Sequence, residues 1–189
     1  MMKNNLVSYP QTVKIEGRDY VINTDFSVWI EIEQQFLKGE KGHGEGLARA
    51  LVLAFPVLPE NFGDALKGIM WFYGEGCNGK GADSAERTAP VYDLKEDFEY
   101  IRAGFLSEFG IDLLKCDMHW WQFRRLLSCL GENCRFSQIV AYRRTDTSKI
   151  KNRELRSFYQ RMKKRYRLPD IRTDDEKETD MAQKLENLF

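Results

Sequence analysis

The amino-acid sequence predicts a mainly α-helical protein, a small helical domain with a short β-hairpin near its N-terminus. Apolar side chains recur at helical spacing along most of the chain, and residues able to cap or end helices stand beside these stretches. Strand-like alternation is confined to residues 12–23. We expect one domain over residues 1–169, since 42% hydrophobic content is enough for a core, followed by an acidic C-terminal segment, 170–189, that is helical or flexible.

Composition argues against several classes of function. The 29 basic and 29 acidic residues give no net charge, so no bulk electrostatic attraction favours nucleic acid or an anionic membrane. No run approaches the roughly 18 apolar residues of a membrane span, and the N-terminal residues contain no apolar signal core. We therefore expect a cytoplasmic protein whose four cysteines are reduced thiols.

The segment TVKIEGRDYVIN alternates around a glycine-containing turn, which we place at residues 16–19. In this hairpin Val13 and Ile15 would face Tyr20 and Ile22. An isolated two-stranded hairpin is marginally stable in water, so it requires a surface to lie on. The helix that follows is expected to provide that surface.

Two helices are predicted in the next 30 or so residues. The first would begin with a cap at Thr24 or Asp25 and run through Phe36, with Trp29 on its apolar stripe. The stretch GEKGHG then predicts a turn-rich loop. A second helix is expected over residues 47–55, because the sequence PVLP stops it.

A third helix and a long glycine-rich loop are predicted next. Pro59 is tolerated in the first turn of a helix, so we place the start of the third helix there. Residues 74–90 contain four glycines and no periodicity, which predicts a mobile loop. The loop does not form a phosphate-binding motif, because Lys80 is followed by Gly81 and no strand precedes it.

Four further helices are predicted in the second half of the chain. The fourth would begin with Asp93 and Glu96 at capping spacing, carry Phe105 on its apolar stripe and end at Gly110. Asp117 is the expected cap of the fifth helix, through Leu130. A sixth, from about 136 to 144, and a basic seventh, from about 151 to 167, complete the set.

The fifth helix, within DMHWWQFRRLLSCLGE, has two different faces. Its apolar face is expected to enter the core with Trp29 and Phe105, and carries Trp120, Phe123 and Leu127. Its other side is expected to face outward and carries Trp121, Arg124 and Arg125. Tryptophan and arginine are favoured at protein interfaces, so this side is a candidate contact surface.

Neither a metal site nor an active site is predicted. Cys116, His119, Cys129 and Cys134 resemble a zinc ligand set by residue type. On one helix, however, His119 and Cys129 are ten positions apart and roughly 15 Å apart along the axis, too far for ligands of one ion. A Cys116–His119 nucleophile pair lacks an oxyanion motif, and its nearest orienting group, Asp117, is assigned to a helix cap. We expect a non-enzymatic protein without a cofactor.

The segment 143–167 contains eleven Lys or Arg and two acidic residues, with Phe158, Tyr159 and Tyr166 interleaved. Basic and aromatic side chains together can bind nucleic acid. The acidic run DDEKETD follows closely, however, and favours pairing within or between chains as readily. Nucleic-acid binding therefore remains the alternative hypothesis and not the expected function.

The sequence from YDLKEDFEYIRAGF to FSQIVAYRRTD resembles the signature block of the bacteriophage "gene product fifteen" family. The resemblance consists of a Tyr-Asp-x3-Asp-x3-Ile-x3-Phe helix, a Phe-Gly-Ile-Asp-Leu link, a His-Trp-Trp-x-Phe helix and an Ile-x-x-Tyr-Arg helix. With INTDF upstream and the Leu-Pro after the basic helix, it extends from about Val13 to Pro169. The glycine-rich residues 74–90 are the part least expected to be shared.

The resemblance implies a tail-assembly factor of phages and prophages in the cytoplasm of the bacterial host, most simply a chaperone of the tape-measure protein. A structural tail component is the second interpretation, other tail proteins are alternative partners, and a homo-oligomer remains open. No membrane association is implied. The side chains expected to contact the partner lie on the fifth and seventh helices: Trp121, Arg124, Arg125, Arg156, Lys163 and Lys164.

Overall fold

A computed structural model describes residues 8–37, 43–76 and 91–169 and confirms a mainly helical fold with an N-terminal hairpin. The elements are β1 Thr12–Ile15, β2 Arg18–Val21, α1 Phe26–Leu37, α2 His43–Ala54, α3 Phe62–Tyr73, α4 Phe98–Phe109, α5 Trp120–Ser128, α6 Arg135–Arg144 and α7 Arg153–Arg165. A short 3-10 turn, Thr147–Lys149, joins α6 to α7. Most of the predicted glycine-rich loop and the predicted acidic segment lie outside the described residues.

The hairpin turn is tighter than the sequence suggested. Ile15 pairs with Arg18, so the loop contains only Glu16 and Gly17. Both have positive φ, 49° and 80°, which is the geometry of a type I′ turn. The predicted turn at 16–19 was two residues too long, because Asp19 already pairs within the sheet. Glycine is favoured at the second position since it adopts positive φ without a steric cost.

The first helix begins where the sequence predicted, and the second begins earlier. The Asp25 carboxylate accepts a hydrogen bond from the Ser27 N–H at 2.8 Å, which caps α1. The second helix starts at His43, whereas Leu47 was predicted. The helix therefore includes the end of the stretch that was expected to be a turn-rich loop.

The third helix begins after Pro59, not at it. Asn61 is the cap, because its side-chain oxygen accepts a hydrogen bond from the Asp64 N–H at 3.1 Å. Pro59 lies in the connection that precedes this cap. Asparagine is among the residues preferred at the N-cap, since it satisfies a backbone donor that the helix leaves unpaired.

Asp93 closes a separate turn ahead of α4. Its carboxylate accepts hydrogen bonds from the N–H groups of Lys95 and Glu96 at 2.8 and 3.0 Å, so the predicted capping contact forms. The α-helix nevertheless starts at Phe98. It ends at Gly110, as predicted, in the left-handed conformation with φ of 69°.

The centre of the fold is a stack of aromatic rings contributed by α1, α3, α4 and α5. The five predicted core side chains are buried: Trp29, Phe105, Trp120, Phe123 and Leu127. Ring centroids lie 4.8 Å apart for Trp29 and Phe72, 6.1 Å for Trp29 and Trp120, and 5.4 Å for Phe105 and Phe123. Rings of this size contribute a large part of the buried apolar area, so this stack fixes how the four helices meet.

A buried ion pair holds the C-terminal helices to α4. Asp97 is 1% exposed, and its two carboxylate oxygens accept hydrogen bonds from Arg143 at 2.6 and 2.9 Å. The same guanidinium also donates to the backbone carbonyls of Tyr166 and Val91, at 2.5 and 3.2 Å. The pair is bidentate and two further donors of the guanidinium bond to backbone, and bonds of this kind help to offset the cost of burying an ion pair.

Among the helices of residues 8–37, 43–76 and 91–169, none has the length and apolarity required to cross a membrane.

Candidate partner-binding surface

The N-terminus of α5 is capped by His119, not by the predicted Asp117. The Nδ1 atom of His119 accepts the Trp121 N–H at 3.0 Å, and Nε2 lies 3.0 Å from the carbonyl oxygen of Pro10. Met118 cannot begin the helix, because its carbonyl accepts the N–H of Phe26 at 3.0 Å. His119 is thus the last extended residue before the helix, and both of its ring nitrogens bond to backbone.

The hydrogen bonds of His119 require one neutral tautomer, with the proton on Nε2. Burial lowers the pKa of His119, and the bond to the Pro10 carbonyl opposes this effect. The ring of Tyr9 stacks on the imidazole with centroids 4.9 Å apart. His119 is thus a half-buried histidine whose ring bonds to backbone on both sides.

Trp121 is not the free outward side chain that the sequence suggested. Its indole N–H donates to the carbonyl of Phe72 at 2.8 Å, and its ring lies 5.6 Å from that of Trp71. The side chain is half-buried between α3 and α5. Trp121 therefore joins two helices of its own chain and offers only part of its surface to a partner.

Arg124 and Arg125 are both held by Glu75. Their Nε atoms lie 3.7 and 3.4 Å from the two carboxylate oxygens of Glu75. The Arg124 guanidinium also lies over the ring of Trp120, and that of Arg125 over the ring of Tyr9, at 5.5 and 5.2 Å. The structure thus brings the two arginines together, and their positive charge is partly compensated from within the chain.

A half-buried acidic residue, Glu33, interacts with Arg124 and was not identified as a site from the sequence. Burial raises the pKa of Glu33, although a hydrogen bond with Tyr73 and the charge of Arg124 act in the opposite direction. The Oε2 atom of Glu33 is buried and has no hydrogen-bond partner among the described residues. The only signal in the sequence was an acidic residue at an apolar position of α1.

The predicted contact residues of α7 are also largely engaged within the chain. Arg156 donates to the Ile150 carbonyl and Lys163 to the Thr145 carbonyl, each at 2.8 Å. These bonds tie α7 to the connection that precedes it. Lys164 is exposed and forms no hydrogen bond or ion pair with residues that the structure describes. Arg156 and Lys164 are exposed, whereas Lys163 is half-buried.

A different surface, on α2 and α3, exposes large apolar side chains. We call it the α2–α3 surface, and it consists of Val52, Val57, Leu58, Phe62 and Met70. Phe62 and Met70 are 57% and 56% exposed, and Leu66 lies between them on the same helical stripe. A neighbouring stripe of α3 enters the core through Ala65, Ile69 and Phe72. In the sequence, Phe62, Leu66 and Met70 form a second apolar stripe on α3, which was not recognised.

The family model described as "Bacteriophage Gp15 protein" matches residues 4–168, which include every element from β1 to α7. The chain belongs to this family. No curated protein and no solved structure matches the chain. Membership in the Gp15 family agrees with the resemblance that the sequence motifs carried.

The residues of the motifs that carry the Gp15 resemblance stabilise the fold. Asp97 of the first motif and Arg143 of the last form the buried ion pair, and His119, Trp120 and Trp121 of the central motif form the cap and the packing of α5. Because these residues bond to one another or to the backbone of the same chain, the motif describes the framework of the fold. A surface that contacts a partner has to be sought elsewhere.

Proposed function

We propose that this Gp15 family protein is a non-enzymatic tail-assembly chaperone that binds the tape-measure protein in the cytoplasm of the bacterial host. The observation that carries the proposal is the α2–α3 surface. Exposed apolar patches often mark sites of protein–protein contact, and on this surface Phe62 and Met70 are exposed on one stripe of α3 with Leu66 between them. A tape-measure protein, long and helical with an apolar stripe, has to stay soluble before the tail tube encloses it, and it offers a complementary surface.

The α2–α3 surface fits this role better than the arginines of α5. Arg124 and Arg125 already share the carboxylate of Glu75, so a partner would have to displace an existing ion pair. Phe62 and Met70 have no such competitor, because they lie exposed on one stripe of a helix. Burying them against an apolar helix face contributes about 25 cal/mol for each Å² removed from water. We therefore propose that the tape-measure protein contacts this surface.

The test is a double variant, Phe62→Ser with Met70→Ser, co-expressed with the tape-measure protein of the same phage. We expect the variant to remain folded and to lose most of its capture of the tape-measure protein in a pull-down. The matched control is Leu106→Ser, because Leu106 is 51% exposed on α4, which packs on α5 and α6. Parental capture by the folded double variant would contradict the assignment of this surface.

A structural tail component differs from a chaperone in where the protein is finally found. A chaperone is absent from purified virions and co-purifies with tape-measure fragments from infected cells, whereas a structural component is retained in the finished tail. Mass spectrometry of purified virions makes this distinction. A stoichiometric amount of the protein in virions would contradict the chaperone proposal even if the α2–α3 surface binds the tape-measure protein.

A further inference from the structure

The outer edge of β1 has backbone groups that are not used in the hairpin. Ile15 and Arg18 flank a two-residue turn, so they exchange hydrogen bonds, as does the next alternate pair, Val13 and Tyr20. Thr12 and Lys14 belong to the intervening pairs that do not exchange hydrogen bonds. Their N–H and C=O groups therefore point away from β2, and no described residue outside the sheet bonds to them.

A groove of about 560 Å³ lies along this edge, between β1 and α3. The α3 side of the groove is formed by Asp64, Lys67, Gly68 and Trp71, which occupy one helical stripe. Gly68 allows the helix to approach the strand, since a Cβ atom there would lie 3.3 Å from a methyl carbon of Val13. The groove thus has a backbone edge on one side and a helix on the other.

The ends of the groove are different. At the hairpin turn, the Asn61 amide donates to the Glu16 carboxylate at 2.7 Å and joins the turn to the start of α3. The other end lies beside Thr12 and the ring of Trp71. A segment that occupies the groove would therefore enter at the end beside Trp71. The residues that flank this segment would leave at the same end or pass over the edge of β1.

The lysines of the groove do not protect the edge. Exposed edge strands are often guarded by a charged side chain that would be buried by a new strand. Here the ammonium group of Lys14 lies 3.3 Å from the Asp19 carboxylate, on the neighbouring strand. The ammonium group of Lys67 lies 2.7 Å from Asp64, one turn back along the same helix. Both charges have local partners, so neither blocks the edge.

We propose that this groove binds an extended peptide segment of a partner protein, which pairs with β1 as a third strand. The outward backbone groups of Thr12 and Lys14, to which no described residue bonds, recur every second residue, about 7 Å apart, a spacing that an extended backbone matches. Such a segment is about four residues long with alternating apolar and polar side chains, because one face lies over Trp71 and the other faces water. It occupies the side of α3 roughly opposite Phe62 and Met70, so it is separate from the α2–α3 surface.

A second copy of the chain fits this groove less well than a free peptide. The β1 strand of the copy would carry its own α3 along the edge that has to form the new hydrogen bonds. Edge-to-edge pairing of two copies would therefore have to accommodate two α3 helices beside one pair of strands. An isolated extended segment has no helix beside it and fits between β1 and α3.

The test uses a library of random linear heptapeptides displayed on a carrier and selected on the full-length protein. The decisive variant is Lys14→Pro, which removes the outward N–H but no hydrogen bond to β2, since Lys14 lies in a non-exchanging pair. The matched control is Lys14→Ala, which removes the same side chain and keeps the N–H. We expect selected peptides to bind Lys14→Pro about tenfold more weakly and Lys14→Ala within about threefold of the parent.

A second measurement does not depend on the proline variant. In the unaltered protein, a selected peptide should slow hydrogen exchange of the Thr12 and Lys14 amides, because their N–H groups become donors to the peptide. The proposal is overturned if no selected peptide distinguishes Lys14→Pro from Lys14→Ala, or if those two amides stay unprotected. It is also overturned if peptides bind only after residues 1–7 are removed, or if the groove instead mediates self-association that Lys14→Pro abolishes.

Discussion

At the scale of single residues, His119 connects the start of α5 to the segment that precedes β1. Its imidazole accepts the Trp121 N–H in the first turn of α5, bonds to the carbonyl of Pro10 and stacks on Tyr9. Protonation of Nδ1 would convert the acceptor that caps the helix into a donor facing another donor. The segment that precedes β1 therefore depends on the protonation state of one side chain.

This dependence predicts a loss of stability in mild acid. The pKa of His119 is lowered in the folded protein, so the unfolded chain binds the proton first, near its ordinary value of about 6.5. The stabilisation is complete above that pH and is lost as the pH falls through the lower pKa of the folded state. We expect the free energy of unfolding, measured by denaturant titration, to decrease over this range.

The variant His119→Asn is the control for this prediction, because asparagine caps helices and does not titrate. The variant should show a flatter dependence of unfolding free energy on pH below about 6.5. His43 is present in both proteins and its contribution is common to them. An equal slope in the parent and the variant would show that His119 does not control the acid sensitivity.

Trp120 is expected to contribute more to stability than any solvent-exposed residue of α5. Its ring is fully buried against Trp29, Phe123 and Tyr73. The substitution Trp120→Ala should lower the free energy of unfolding by about 3–5 kcal/mol, the range for removing a buried aromatic side chain. The control is Gln122→Ala, an exposed position of α5, which should change it by about 0.5 kcal/mol or less. Similar denaturation midpoints for the two variants would contradict this assignment.

At the scale of secondary-structure elements, local sequence rules located most helices but missed the beginning of α2. Glycines around residue 43 predicted a loop because glycine has a low helix propensity. One of them, Gly46, has a packing role instead: a Cβ atom there would lie 2.8 Å from the backbone oxygen of Gln35 in α1. The close approach of two helices overrides propensity, and a single sequence does not reveal it.

The glycines of the hairpin and of α2 predict opposite effects of the same substitution. Gly17 has φ of 80°, so Gly17→Ala strains the turn and should lower the free energy of unfolding by about 1–2 kcal/mol. Gly44 lies in α2, and a Cβ atom there would meet nothing within 4 Å. Gly44→Ala should therefore raise the free energy of unfolding by about 0.5–1 kcal/mol. Thermal and denaturant unfolding of both variants test the pair. A loss of stability in both would show that α2 does not begin at His43.

At the scale of the whole molecule, apolar periodicity predicted the core but not the contacts of its outer side. The burial of Trp120 follows from the stripe on its own helix. The position of Trp121 depends on the Phe72 carbonyl, and the pairing of Arg124 and Arg125 depends on Glu75. These partners lie about fifty residues earlier in the chain, and no helical pattern relates positions that are so far apart.

The same limit applies to the basic segment 143–167. Arg143 was counted with the candidate nucleic-acid contacts, but it is withdrawn from the surface by Asp97. Charge counting could not show this, because an arginine has the same weight whether it is buried in a pair or exposed. The exposed residues of α7, including Lys164, are what remains of the predicted basic surface.

The Asp97–Arg143 pair is expected to stabilise the arrangement of α4, α6 and α7 together. Arg143→Met leaves the buried carboxylate of Asp97 without its counter-ion and should lower the free energy of unfolding by about 3–5 kcal/mol. Arg144→Met, at an exposed neighbouring position, should change it by about 0.5 kcal/mol or less. Adding Asp97→Asn to Arg143→Met should restore part of the loss, because no charge then remains buried. Equal denaturation midpoints for the two single variants would contradict the role of the pair.

The bond from Arg143 to the Tyr166 carbonyl also affects the order in which the protein can be completed during synthesis. A nascent chain that has not reached Tyr166 can pair Arg143 with Asp97, but it cannot give the guanidinium its last acceptor. Water would have to fill that position until the end of α7 arrives. A product ending before Tyr166 would therefore keep the Asp97–Arg143 pair but lack this final backbone contact.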